Sequence, residues 1–406
     1  MLGVLLLLAA AYFWDLFHGD KIGIHGQLLR HYDRVLLDTY HKNGRKTPAN
    51  PDVVVLGVDT ASMRLDDLFP DEIEQIATLK AMKASWPWPR RVWAAVIDKL
   101  AAAGAKAIFF DFLFEGPAKD PEDDRLLKEA FLRHPGQVIL GSKFFDEAVG
   151  NDPQDKKSGV LYPSMVDPVK APPDCLAFVN FWPEADGVIR SGIFHLTPVE
   201  AERLANPDES AVANPTDREV PSVALALARH LKPDFDSPQF GRLRFSDPAA
   251  FEARSIHEIF IPDQWKNNFG DGEVFRDKVV LIGSTAPELH DVQDIPGAEI
   301  DGVKLHAHAL SALLANSYIR PMPNAWIFVA LLAGALLAWI LVTFVRHPLV
   351  SVAAMWGLSA AVFQGCHWAF DHWNVEMSPL PAGYALNLCG VLGLAANPST
   401  RQRFSA

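Results

Sequence analysis

Three apolar runs near the C-terminus constrain the fold of this chain more than any other feature. They cover residues 325–345, 349–370 and 377–396. A helix needs roughly 20 apolar residues to cross ~30 Å of hydrocarbon, and each run is close to that length. The sequence therefore predicts three transmembrane helices within residues 325–396.

The charges between these runs predict the direction in which the helices cross the membrane. The loop at residues 346–347 and the terminal Arg401 and Arg403 are basic, whereas the loop at residues 371–376 is acidic. Basic loops stay in the cytoplasm, so we expect the C-terminal stub, residues 397–406, to be cytoplasmic. The large segment before the first run is then expected on the outer side.

The N-terminus begins with a further apolar run, which we predict to be a membrane anchor over residues 1–17. Residues 1–14 would form a helix of about 21 Å at ~1.5 Å per residue, short of a full span. No basic residue precedes the run. An upstream start codon or a trimmed sequence would explain the short length, and a cleaved signal peptide is the alternative.

Composition indicates that the segment between these parts, residues 18–324, folds as a domain. The 406-residue chain is 49% hydrophobic and 21% charged, which excludes a disordered protein. Its formal net charge is -12, and the acidic excess lies entirely before residue 325. Nucleic acid is excluded as a partner because its binding requires a basic surface. Cys175 is the only cysteine outside the apolar runs, so this segment has no internal disulfide.

Short β-rich runs alternate with helical runs along this outer segment. The predicted strands are Val53–Val58, Ala107–Phe110, 138–140 and 279–282, and the predicted helices are 91–103, 123–133, 222–230 and 305–315. The strands are apolar on both faces, which is typical of buried parallel strands. Strand–helix–strand spacing predicts a layered α/β domain with a mostly parallel sheet.

Several blocks of sequence follow one another in a familiar order. They are VVVLGVDTAS from Val53, WPWPR from Trp86, AGAKAIFFDFLF from Ala103, DGVIRS from Asp186, PSVALALAR from Pro221, FRDKVVLIGST from Phe275 and HAHALSALLAN from His306. As an ordered set they resemble the type-two CHASE domain, an extracellular sensory module associated with adenylate or guanylate cyclases and histidine kinases. The resemblance covers nearly the whole chain and implies one transmembrane helix before the sensory domain and three after it.

The sequence departs from the family pattern at three points. A long acidic stretch separates Ser62 from the WPWPR block, and only LRF at residues 243–245 represents the customary INY-like strand. The family also implies a cytoplasmic cyclase, kinase or other output domain, whereas this sequence has only the stub after the last apolar run.

Asp59 and Asp111 are the first candidate ligand-binding residues. Each follows a predicted buried strand, so both carboxylates are expected at the carboxyl edge of the sheet, where open α/β sheets bind ligands. Converging carboxylates bind cations or perform acid–base chemistry. Alternatively, they cap helices or pair with Arg90 or Arg91. The resemblance makes Asp59, Arg90 and Asp111 characteristic positions without assigning chemistry to them.

The WPWPR block supplies three more candidates. Trp86 and Trp88 would form the wall of a pocket, and Arg90 would present a guanidinium to an anionic ligand. The alternative is structural, because tryptophans bury a large area and prolines stiffen the approach to a helix.

Gly283, Ser284 and Thr285 follow another predicted strand and form the last part of the candidate site. Their amides would bind an anion at a strand-to-helix turn. The turn lacks the lysine of a phosphate loop and the spaced glycines of a dinucleotide site, so nucleotide binding is only weakly indicated.

No cofactor, metal site or catalytic residue is predicted. His290, Asp291, Asp294, His306 and His308 are of types that bind zinc, but His306 and His308 would lie about 200° apart on a helix. The motifs GxSxG, HExxH and paired CxxC do not occur in the sequence. We therefore do not expect this chain to be an enzyme.

These features predict a sensory receptor of the bacterial inner membrane that crosses the bilayer several times. The outer domain would detect an unidentified small ligand or a physical condition, within a homodimer, and the helices would relay the change to a cytoplasmic cyclase or kinase. Four residues at the junction before the first run are candidates for signal transmission: Tyr318, Arg320, Pro321 and Pro323.

Two alternatives remain open at this stage. The first is a membrane-anchored hydrolase or binding protein of the outer compartment that uses Asp59 and Asp111. The second is a scaffold subunit that needs no ligand and contacts partner proteins through its membrane helices.

Overall fold

The computed structural model describes residues 24–148, 156–172, 174–205, 218–323 and 325–396. The chain divides into two compact units, of which the larger is Lys46–Tyr318. The smaller unit contains the described residues on either side of that segment. The predicted anchor at residues 1–17 and the stub at residues 397–406 lie outside the described residues.

Strands and helices alternate along most of the larger unit. In chain order the described strands are β1 (Val53–Val58), β2 (Ala107–Phe110), β3 (Val138–Ala148), β4 (Lys156–Leu161), β5 (Leu176–Phe178), β6 (Ser191–Ile193), β7 (His195–Leu196), β8 (Val220–Pro221), β9 (Phe240–Leu243), β10 (Ala253–Ser255), β11 (Val279–Ser284), β12 (Val292–Ile295), β13 (Ala298–Asp301), β14 (Tyr318–Pro321) and β15 (Val375–Glu376). The described α-helices are α1 (Ile24–Asn43), α2 (Thr60–Arg64), α3 (Pro70–Gln75), α4 (Ala77–Ala84), α5 (Arg90–Ala102), α6 (Pro121–Arg133), α7 (Pro198–Ala205), α8 (Val223–Leu231), α9 (Pro262–Phe269), α10 (Gly302–Leu314), α11 (Ala325–Phe344), α12 (Pro348–Trp373) and α13 (Leu380–Ala396).

A seven-stranded sheet forms the centre of the larger unit. Its order is β10-β1-β11-β2-β3-β4, and β5 also pairs with β3. All of these pairs are parallel except β3 with β4. The strand β11 lies between β1 and β2, so that Leu281 is opposite Val55 on one side and Phe109 on the other. The fold is a mixed α/β fold with a mostly parallel sheet, as the sequence predicts.

Successive residues of the central strands point into two different hydrophobic cores. Leu56, Ile108 and Ile282 pack with α5, α6 and α9 on one face. The neighbouring residues Val55, Phe109 and Leu281 pack with α8 and α10 on the other face. Since each fully buried side chain of this size stabilises the fold by about 1.5–3 kcal/mol, both faces strongly specify the strand register.

Helix α5 shows how the local sequence sets the limits of an element. It begins at Arg90 directly after Pro89 and ends at Ala102. Gly104 then adopts a φ of 82°, and its N–H donates to the carbonyl of Ala101. Glycine tolerates this left-handed conformation, which commonly ends helices. The predicted helix over residues 91–103 is therefore found one residue earlier.

The smaller unit contains the apolar helices. Helices α11 and α12 are long and apolar enough to cross a bilayer, whereas the apolar helix α13 is shorter. Large side chains such as Phe328, Leu332 and Trp339 are exposed on α11, as expected for a helix that faces lipid. Gly334 of α11 has no room for a Cβ because the carbonyl of Ala382 on α13 occupies that position. Small residues permit such close packing of membrane helices.

Candidate functional site

The carboxyl edge of the sheet brings together the ends of three neighbouring strands. Val58 of β1 lies opposite Ser284 of β11, and Ile282 of β11 lies opposite Phe110 of β2. Asp59, Thr285 and Asp111 are the residues that follow these strands. Because β11 intervenes, the backbones of β1 and β2 are roughly 10 Å apart, and the two aspartates have different neighbours.

Asp59 caps helix α2. Its Oδ1 atom accepts a hydrogen bond from the N–H of Ser62 at 2.8 Å, and its Oδ2 atom accepts one from the hydroxyl of Ser255. Burial alone would raise the pKa of Asp59, but the hydrogen bonds from Ser255 and Ser62 outweigh it and lower that pKa below its ordinary value. Asp59 is therefore an ionised cap whose acceptor atoms are already used locally.

Asp111 lies on the other side of β11 and contacts helix α10. Its Oδ1 atom is 3.6 Å from Nε2 of His306. The His306 ring lies between Phe109 and Phe181, with centroid distances of 5.3 and 5.1 Å. These two aromatic rings hold the imidazole edge of His306 toward the Asp111 carboxylate, which follows β2.

Asp291 completes an acid–imidazole cluster, defined here as Asp111, Asp291 and His306. Its carboxylate lies where a Cβ on Gly302, the first residue of α10, would be placed. Burial, followed by the neighbouring charge of Asp111, raises the pKa of Asp291 to about 6. The cluster combines two carboxylates and an imidazole that can exchange protons or hydrogen-bond a polar ligand.

No group of three or more His, Cys, Asp or Glu residues arranged to hold a metal ion occurs among the described residues. The sequence suggested Asp291 and His306 as metal ligands, or a hydrogen-bonded histidine at the start of the helix as the preferred alternative, and did not connect them with Asp111. The strand order explains this omission, because His306 lies near Asp111 only in a sheet in which β11 pairs directly with β2. Gly302, four residues before the first histidine of the HAHALSALLAN block, was a local signal of a close approach.

Gly283 is required by packing at this edge. A Cβ on Gly283 would lie 2.5 Å from Cβ of Val303 and 3.1 Å from Cβ of Asp111. Real Cβ atoms do not approach each other so closely, so the glycine allows α10 to lie against the sheet. Its position in the structure is explained without any ligand.

One of the three predicted anion-binding amides, that of Thr285, is engaged within the protein. The N–H groups of Thr285 and Ala286 both donate to the carbonyl of Val58, at 3.1 and 3.0 Å. Ser284 is buried, and its hydroxyl has no hydrogen-bond partner within the part of the chain that the structure describes. The turn therefore closes onto β1 instead of opening toward solvent.

Trp88 and Arg90 of the WPWPR block are buried on the α5 face of the sheet, whereas Trp86 is partly buried and Pro87 is exposed. Trp86 packs edge-on against Trp88 at 5.1 Å, and Trp88 is buried against Trp93 at 5.2 Å. Arg90 is buried and donates to Asp124, to Ser164 and to the carbonyls of residues 115 and 116. All of these partners belong to the protein, so the guanidinium anchors the loop after β2.

The candidate aspartates and the WPWPR block thus occupy three separate places in the larger unit, while Gly283 lies beside Asp111 and Thr285 bonds to Val58. Asp59 lies at the β1–β10 side, the WPWPR block lies in the α5 core, and Asp111 lies beside α10. A cavity of about 140 Å³ lies elsewhere, near the amino-terminal end of β5, and is lined by residues that include Tyr162, Asp174 and Arg229.

Of the four junction residues, Tyr318 ends the larger unit and the other three begin the C-terminal part of the smaller one. The Tyr318 ring is 5.9 Å from Phe194, and its hydroxyl is buried without a hydrogen-bond partner in the described segments. In the smaller unit, the N–H of Arg320 donates to the carbonyl of Asn374, and Pro321 lies opposite Glu376 in a parallel pair. Pro323 accepts the N–H of Trp326 in the first turn of α11.

The two points at which the chain enters and leaves the larger unit are joined by hydrogen bonds. Thr47 Oγ1 contacts Ser317 Oγ at 2.8 Å and donates to the carbonyl of Arg244 at 2.6 Å. The N–H of Thr47 donates to the carbonyl of Phe245, and the N–H of Arg244 donates to that of Ser317. We call these four residues the exit seam. Nothing in their local sequence indicated it.

Comparison with family models decides the relationship of this chain to known proteins. The model of the CHASE2 domain matches residues 5–345. The chain belongs to the CHASE2 family. CHASE2 domains are extracellular sensory domains and are not catalytic, which agrees with the resemblance found in the sequence.

The CHASE2 match includes the whole larger unit and ends close to the end of α11. Neither the curated proteins nor the solved structures contain a match to this chain. The CHASE2 domain is therefore assigned a sensory class by its family, while its stimulus must be inferred from its own residues.

Proposed function

We propose that this chain is the sensory part of a membrane receptor. Its CHASE2 domain would respond to a small ligand or a physical condition and relay the change to a cytoplasmic cyclase or kinase domain. The observation that carries the proposal is the exit seam. A change in packing that alters this seam would act on both chain connections to the membrane helices at once.

Helix α10 is well placed to produce such a change. Its first turn contacts the acid–imidazole cluster, and its C-terminal cap, Ala315, lies two residues before Ser317 of the exit seam. A ligand shifts a conformational equilibrium only by the difference between its affinities for the two states. A ligand at the cluster that favours one position of α10 would therefore bias the seam.

The proposed setting is the bacterial inner membrane, with the CHASE2 domain outside and the C-terminus in the cytoplasm. The basic residues after α11 and after α13 support this orientation through the positive-inside rule. We include a homodimer in the proposal because a rearrangement between two copies displaces their attached output domains relative to each other.

The proposal is tested by joining a cytoplasmic adenylate cyclase domain to Ala406 of the full chain and measuring cyclic AMP formation in vesicles. Thr47→Val with Ser317→Ala should remove the response to any stimulus that activates the unsubstituted fusion. Thr60→Val is the matched control, since its hydroxyl bonds only the exposed Glu288 outside the seam. An unchanged response in the seam variant would contradict the proposal.

A membrane-anchored hydrolase or binding protein is the second candidate, favoured by the acid–imidazole cluster. A carboxylate 3.6 Å from an imidazole has the composition of a general acid–base pair. Loss of a hydrolytic activity in both Asp111→Asn and His306→Gln, with retention in Asp59→Asn, would support this function. Equal activity in all three variants would exclude it.

A further inference from the structure

His308 is a fully buried titratable group that the proposed function does not use. Its side chain has 0% exposure, and neither ring nitrogen has a hydrogen-bond partner among the described residues. The ring packs edge-on against Phe251 at 5.0 Å and against Phe245 at 6.0 Å. Buried polar groups are almost always hydrogen-bonded, so an imidazole with both nitrogens unpaired requires an explanation.

His308 and His306 face different partners although both lie on α10. His306 is directed at Asp111 at the sheet edge, whereas His308 is directed at the segment that contains Phe245. That segment belongs to the exit seam, since the carbonyl of Phe245 accepts the N–H of Thr47 at 3.0 Å. Phe245 therefore connects the buried imidazole directly with the hydrogen bonds that join the two chain exits.

Burial and the nearby charges together oppose the protonation of His308. Lys304 lies on the same helix and pairs with Asp301, Lys46 lies in the segment before β1, and Asp247 lies in the loop after β9. Burial contributes most, and with Lys304 and Lys46 it outweighs Asp247 and lowers the pKa of His308 to about 4. A protonated ring would carry two N–H donors, and neither ring nitrogen makes a hydrogen bond to the described residues.

We propose that His308 is a proton switch: its protonation releases α10 from the exit seam, so that acidification of the outer compartment is a stimulus for this domain. The release itself follows from the packing of the larger unit. Only its meaning as a signal rests on the proposed receptor function.

The direction of the effect follows from proton linkage. The packed state holds His308 neutral, whereas a state in which water reaches the ring takes up a proton near the ordinary pKa of about 6.5. As the pH falls below this value the packed state loses stability, and the loss is complete near pH 4. At pH 5.5 the linkage shifts the equilibrium about tenfold toward the released state, relative to pH 7.5.

The experiment is hydrogen exchange measured by mass spectrometry on the full chain in lipid nanodiscs, at pH 7.5 and 5.5, corrected for the intrinsic pH dependence of exchange. At pH 5.5 the segment at residues 302–317 should open about tenfold more often in the unsubstituted protein than in His308→Met. At pH 7.5 the two proteins should open equally often. Because Asp291 is present in both proteins, the comparison isolates His308.

His230→Gln is the matched control. The ring nitrogens of His230 lie 2.7 and 2.6 Å from the backbone carbonyls of Ala226 and Gly136, unlike those of His308, so the acid response should remain in His230→Gln. His308→Leu serves as a second apolar variant. In acid, His308→Met and His308→Leu should each be more stable than the unsubstituted protein, a result that misfolding cannot produce. Acid opening that persists in both apolar variants, or its absence in the unsubstituted protein, would overturn the proposal. Acid opening together with a cyclase fusion that ignores pH would support the switch and count against the receptor function.

Discussion

The Oδ1 atom of Asp111 lies 3.6 Å from the Nε2 atom of His306, although one follows strand β2 and the other belongs to helix α10. This contact joins the carboxyl edge of the sheet to the helix that precedes the exit seam. A change of charge at either residue therefore acts on the element that we propose to transmit the signal.

Asp291→Asn should stabilise the CHASE2 domain near neutral pH. The folded-state pKa of Asp291 is raised to about 6, so the folded protein holds a carboxylate at pH 7.5 that the unfolded chain accommodates more easily. The penalty amounts to about 3 kcal/mol at most, and it disappears as the pH falls through 6 toward 4. Chemical unfolding of the full chain at pH 7.5 and at pH 4.5 measures the difference. Asp294→Asn, at an exposed position, is the control, and a loss of stability in Asp291→Asn at pH 7.5 would contradict the prediction.

Gly283→Ala should destabilise the larger unit by about 1–3 kcal/mol through overpacking. The added Cβ would lie 2.5 Å from Cβ of Val303. Gly283 belongs to strand β11 and Val303 to helix α10, and both elements are closely packed. Val303→Ala in the same chain should restore part of the loss, which a double-mutant cycle of unfolding free energies measures. Gly357→Ala is the control because open space surrounds that position. Additive effects of the two substitutions would show that the contact is not responsible.

Arg90→Lys should behave as a disruptive substitution. Lysine cannot reproduce the four hydrogen-bond partners of the Arg90 guanidinium, and Asp124 would lose its buried partner. We expect a loss of about 3 kcal/mol in the free energy of unfolding, with Arg91→Lys nearly neutral because Arg91 is more exposed. An anionic ligand role for Arg90 would instead predict wild-type stability with weakened binding.

Replacing Pro321 and Pro323 together by glycine should weaken transmission while leaving the larger unit intact. Proline restricts the backbone between β14 and α11, and glycine would make this connection flexible. The cyclase fusion should then lose most of its stimulated activity, while hydrogen exchange within residues 46–318 stays unchanged. Stimulated activity equal to that of the unsubstituted fusion would remove the junction from the signalling path.

The features that were predictable from the sequence depend on residues that lie close to one another along the chain. The alternation of Leu56 with Val55 specifies two buried faces, and Gly104 marks the end of α5 because only local backbone conformation is involved. The Asp59 cap, which was one of two alternatives, likewise needs only Ser62, three residues away.

The acid–imidazole cluster was not predictable because it depends on strand order. Sequence patterns indicate that β1, β2 and β11 are buried strands, but not that β11 lies between the other two. Without that order, His306 has no reason to be placed near Asp111. The unpaired nitrogens of His308 were hidden for the same reason, since Phe245 and Phe251 approach it from a distant part of the chain.

The bond between Thr47 and Ser317 gives the larger unit the architecture of an insert whose two ends meet. A domain of this kind can be exchanged for another whose ends are equally close, without lengthening the chain or stretching the segments that flank it. Such an exchange would replace the CHASE2 domain while leaving the flanking apolar helices unchanged.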